Sequence, residues 1–90
     1  MALFVVNRTL PGITPEALAS AGVRAKSCCA EMTQEGESVT WIRSFFVPST
    51  AQTHCYFEAA SREAVEEANL RAKIPFVEIA EVVEMTPAGV

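Results

Sequence analysis

Between Val39 and Met85 the chain alternates apolar and polar residues twice, opens a capped helix and closes on a further apolar run. Few folds accommodate that order. Ser38 to Val47 reads as a strand whose alternation separates Val39, Trp41, Arg43, Phe45 and Val47 from Thr40, Ile42, Ser44 and Phe46. Pro48 to Gln52 is a short loop, and Thr53 to Ala59 is the returning strand, with Cys55 and Phe57 opposite in direction to His54, Tyr56 and Glu58. Ser61 then caps a helix carrying Glu63, Glu66 and Glu67, with a buried stripe of Ala64, Val65, Ala68 and Ala72 and a stop at Pro75. Phe76 to Met85 is the last strand. Its apolar residues Ile79, Val82 and Met85 fall every third position, a departure from alternation that suggests a bulge near Glu81.

Upstream, Ala2 to Arg8 forms an apolar strand ending before the turn Leu10-Pro11-Gly12. Thr14 is an N-cap, with Pro15 at the first helical position and Glu16 in the first turn, where its charge suits the helix dipole. Leu18, Ala21, Ala25, Cys28, Cys29 and Met32 make one stripe at spacings of three and four, and the polar segment Thr33 to Glu37 ends the helix. The order strand, helix, strand, strand, helix, strand predicts an α+β fold of the ferredoxin-like βαββαβ kind over residues 1–90, with both helices on one face of a four-stranded antiparallel sheet. Residues 87–90 are expected to form a loose tail. The second sheet face carries bulky apolar groups, more than a soluble monomer usually exposes, so a homodimer is expected.

Composition removes several functions. The net charge of −4 and seven scattered Lys and Arg residues argue against a nucleic-acid partner. All eleven acidic residues are Glu, which excludes an EF-hand loop. The apolar run Ala2 to Val6 is too short for a signal peptide or a membrane span, and a cytoplasmic protein without a membrane partner is expected. Cys28, Cys29 and Cys55 are odd in number and lack CxxC spacing, the pattern of free thiols rather than of a disulfide framework.

One place for chemistry stands out. If Phe45 pairs with Tyr56, then Arg43 lies opposite Glu58, and Trp41, Arg43, Phe45, His54, Tyr56 and Glu58 share the face away from the helices. The plainer reading of that arrangement is a cross-strand ion pair beside core aromatics. His54, the sole histidine, with Cys55 and Glu58 offers metal-ligand chemistry, although neighbouring strand residues point to opposite faces. Trp41, Arg43, Ser44 and Tyr56 are the candidates for a small anionic ligand. No nucleophile with a placed base emerges for Cys55 or Ser44, so no enzymatic reaction is assigned.

The runs Trp41-Ile42-Arg43-Ser44-Phe45, His54-Cys55-Tyr56-Phe57-Glu58-Ala59-Ala60 and Ser61 to Ala68, with Ile74-Pro75 and the opening Val6 to Gly12, resemble a family of small domains of unknown function that includes a nickel-binding protein. The resemblance spans nearly the whole chain. It implies a ferredoxin-like fold, dimerisation, and nickel as the leading metal. It also implies departures: Arg43 stands where members often carry a histidine, and Glu67-Ala68-Asn69 where they often carry Glu-His-Ala. Three functions follow for testing: a metal-binding protein, a ligand-binding module or enzyme of the dimeric α+β barrel type, and an interaction domain without small-molecule chemistry.

Overall fold

The capping and periodicity signals form the elements they predict. The computed structural model describes residues 1–90. It contains β1 (Ala2–Thr9), α1 (Pro15–Gln34), β2 (Val39–Val47), β3 (Gln52–Ala59), α2 (Arg62–Arg71) and β4 (Glu78–Val82). The Thr14 hydroxyl accepts from the Ala17 amide at 3.1 Å and the Ser61 hydroxyl from the Ala64 amide at 3.2 Å, so each helix begins on a side-chain cap. The four strands run in the order β2-β3-β1-β4, all antiparallel, which is the ferredoxin-like arrangement.

The core lies between the sheet and the two helices. Phe4 and Val6 of β1, Cys55, Phe57 and Ala59 of β3 and Ile79 of β4 meet Cys29 and Met32 of α1 and Ala64, Val65 and Ala68 of α2. Small residues along both helices let them approach closely. Across their outer edge, Arg71 bonds Glu67 on its own helix, Glu31 of α1 and Glu35 at the C-cap of α1, while the Arg24 Nε donates to the Ala72 carbonyl at 2.8 Å. The Arg71 guanidinium holds the Glu35 carboxyl below its ordinary value.

Two local expectations are corrected. Alternation in β2 is interrupted: Trp41 pairs with Phe57 and Arg43 with Tyr56, leaving Ile42 as an extra, bulged residue. Trp41 therefore turns to the helix side, where it packs against the core, while Arg43 and Phe45 pair with Tyr56 and His54 on the open face. Arg43 does not lie opposite Glu58, whose partner is Thr40. The bulge foreseen near Glu81 is absent, because β4 is a short strand paired without interruption from Glu78 to Val82. Its three-residue spacing simply puts Ile79 on the buried face and Val82 on the open one.

The end of α2 also differs in cause. Lys73 takes a left-handed conformation, φ 57°, and its amide and that of Ile74 bond the carbonyls of Leu70 and Asn69. This Schellman-type closure ends the helix before Pro75 and tucks Ile74 inward. At the C-terminus, Pro87–Gly89 forms an exposed 3-10 turn.

Phe57 is fully buried and Ile42 is 40% exposed. We expect Phe57→Ala to lower stability by about 3–5 kcal/mol and Ile42→Ala by less than about 1 kcal/mol in urea unfolding. Equal losses would return Ile42 to the core, as unbroken alternation demands.

Candidate functional site

The sheet separates the residues singled out from the sequence into two groups. Toward the helices lie Trp41, Ser44 and Cys55; on the open face lie Arg43, His54, Tyr56 and Glu58. Trp41 and Ser44 come together because the bulge places residues three apart on one side, and the Trp41 indole donates to the Ser44 hydroxyl at 2.9 Å. They do not share a pocket with Arg43 and Tyr56.

On the open face, Arg43 and Tyr56 border a groove of about 310 Å³ with Leu3, Ile42, Phe45 and Val82. Phe45 meets Tyr56 edge-on, with ring centroids 6.3 Å apart and planes at 80°, a geometry aromatic quadrupoles favour. The walls are mostly apolar and Phe45 is 59% exposed.

His54 sits at one end of the same face in a hydrogen-bonded row. Its Nδ1 is 2.7 Å from Asn7 Oδ1, and Asn7 Nδ2 donates to Glu78 Oε1 at 2.8 Å. The register produces this row, since Asn7 of β1 faces both His54 of β3 and Glu78 of β4. The Glu78 carboxylate only accepts, so the Asn7 amide nitrogen must turn to it and the amide oxygen to His54. In the neutral ring Nδ1 is then the N–H donor and Nε2 the nitrogen with the lone pair.

The proposed partners of His54 lie elsewhere. Cys55 is 8% exposed on the opposite face, and Glu58 stands four residues along the strand, about 13 Å away at the usual rise. No group of three or more His, Cys, Asp or Glu side chains able to hold a metal ion is assembled within one chain. Cys28, Cys29 and Cys55 are all free.

Between α1 and the sheet lies a larger cavity of about 540 Å³. Leu18, Val23, Trp41, Phe46 and Phe57 line it, and Arg8 and Thr53 belong to its wall. Arg8 and Thr53 were not among the residues singled out from sequence. The signal available was parity: Arg8 follows Phe4 and Val6 at intervals of two and so shares their inward face.

The sequence profile of the family described as nickel responsive protein SCO4226-like matches residues 4–82. The chain belongs to that family. The fold is similar to the crystal structure of SCO4226 from Streptomyces coelicolor A3(2), with a TM-score of 0.77 and 26% identity, covering 94% of this chain and 100% of that one. No curated protein matches the chain. The SCO4226-like assignment agrees with the sheet order and helix placement and with the resemblance carried by the Trp41 and His54 segments. None of the helices is long and apolar enough to cross a membrane.

Cys29 supplies a pH-dependent check on the inner face. Burial pushes its thiol up to about 11, against a lowering contact with the Trp41 backbone and with a smaller upward push from Cys28. A raised thiol favours the protonated folded state, so its contribution to stability is full below the ordinary thiol value and is lost as the pH climbs through about 11. At pH near 8 we expect Cys29 to react with a disulfide reagent only on unfolding, measured by peptide mapping of the labelled native protein. Prompt labelling of Cys29 would contradict its burial beneath Trp41.

Proposed function

We propose that the chain is a cytoplasmic, metal-binding homodimer that responds to nickel, with His54 as the anchoring nitrogen of each subunit. The observation that carries this reading is the His54-Asn7-Glu78 row, which orients the imidazole through Nδ1 and leaves Nε2 without a hydrogen-bond partner in the chain. Metal-ligating histidines are commonly oriented by such a partner on the other ring nitrogen. Family membership supplies nickel as the metal to test.

One chain offers an oriented nitrogen without a full ligand set, so the remaining donors come from a second copy or from water. Nickel accepts imidazole readily, and neither Cys55 nor Glu58 of the same chain is brought beside His54. Dimerisation through the open face is supported by its apolar surface. Leu3, Ile42, Phe45, Tyr56 and Val82 gather there, and covering them removes an unfavourable patch from water. Three unpaired cysteines suit a reducing compartment.

Native mass spectrometry with and without nickel tests the reading. We expect a dimer that gains whole nickel ions, a His54→Ala variant that stays dimeric and loses them, and a Phe45→Lys variant that falls to monomer. Nickel uptake unchanged by His54→Ala, or a parent protein that is monomeric at micromolar concentration, would overturn it.

A further inference from the structure

The inner cavity holds a buried positive charge without a negative partner. Arg8 is 4% exposed, yet it takes part in none of the salt bridges, which all belong to Arg62 and Arg71. Its two hydrogen bonds go to neutral acceptors, Asn69 Oδ1 at 2.8 Å and the Pro75 carbonyl at 3.2 Å. A guanidinium has five N–H donors, so its capacity is not exhausted by these contacts. Burying such a charge is costly unless it is paired, and neutral acceptors offset only part of that cost.

Directly opposite Arg8 in the β1–β3 register stands Thr53, 2% exposed. Its hydroxyl is buried and has no hydrogen-bond partner, the sole side-chain polar atom in this condition. Facing residues on adjacent strands have Cβ atoms about 5 Å apart, so Arg8 and Thr53 rise side by side from the inner face of the sheet. Both residues belong to the wall of the cavity, where Arg8 lacks an anionic partner and the Thr53 hydroxyl lacks any.

The walls specify the rest. The cavity takes about 540 Å³, within the range of small-molecule sites. Its lining includes Arg8 and Lys26 but no glutamate, although the chain has eleven. Leu18 and Val23 on one side and Trp41 and Phe46 on the other are apolar. One buried guanidinium and one hydroxyl match a monoanion, and the apolar walls match a hydrocarbon or aromatic body attached to it. A phosphate, doubly charged and hydrated, fits neither.

We propose that the cavity between α1 and the sheet binds a small amphipathic monocarboxylate, its carboxylate accepting from Arg8 and Thr53 and its apolar body lying against Trp41 and Phe46. This site lies on the opposite side of the sheet from His54 and does not depend on the nickel reading. Ser44, on the edge strand β2, is an exposed member of the cavity's lining.

Phenylbutyrate is the probe, and phenylbutanol its uncharged counterpart. Trp41 is the chain's single tryptophan, so its emission reports on the cavity without labelling. We expect saturable binding of the acid and roughly tenfold or weaker binding of the alcohol, the scale of one charged hydrogen-bonded contact. Thr53→Val separates a binding role from a structural one. Because the hydroxyl has no partner, the valine variant should melt at the same temperature or higher while losing roughly three- to tenfold in affinity for the acid and none for the alcohol. Arg8→Met is less informative, since it also removes the bonds to Asn69 and Pro75. The proposal fails if neither compound binds, if acid and alcohol bind equally, or if Thr53→Val leaves affinity for the acid unchanged.

Discussion

The extra residue in β2 decides what each side of the sheet can do. With Ile42 bulged, Trp41 and Ser44 both face the helices and Arg43 and Phe45 both face away. A regular strand would carry Trp41 and Arg43 on one side. The indole would then leave the wall of the inner cavity and lose its place beside Gly22, where an added methyl carbon would sit 3.3 Å from the Trp41 ring. Bulges recur at sheet edges, where one residue can be re-aimed without breaking the pairing beyond it. β2 is such an edge, and its pairing with β3 continues to Val47.

Two chemically distinct surfaces result from one sheet. The outer one is apolar in the middle, with the His54-Asn7-Glu78 row at one end, and it suits association with a second copy. The inner one packs against small-residue helix stripes, and between the first half of α1 and the sheet it keeps a cavity with Arg8 in its wall. Arg8 is held there by the way α2 ends. The left-handed turn at Lys73 aims the Pro75 carbonyl, and Asn69, anchored to the Val65 carbonyl at 2.8 Å, supplies the other acceptor. A helix terminus thus positions a charge on a neighbouring strand.

Much of the fold was legible in the sequence because its signals are local. Thr14 and Ser61 cap the helices they announce, and Ala64, Val65, Ala68 and Ala72 form the stripe that periodicity assigns to α2. The site was less legible because it depends on register. A single inserted residue at Ile42 reverses the facing of everything before it relative to everything after it, and nothing in the types Trp41, Ile42 and Arg43 announces the insertion. His54 was legible as a chemical group, but Asn7 and Glu78, which orient it, become its neighbours only through pairings across β1. Thr53 looked like an ordinary strand residue, and its unmet hydroxyl is visible only in three dimensions.

The facing of Trp41 is the central claim, and nuclear Overhauser effects from its indole protons test it most directly. The bulged strand predicts contacts from the indole ring to the Gly22 α-protons and none to the Tyr56 ring. Contacts from the indole to Tyr56, with none to Gly22, would place Trp41 on the open face and contradict both the cavity and the division of the sheet described above.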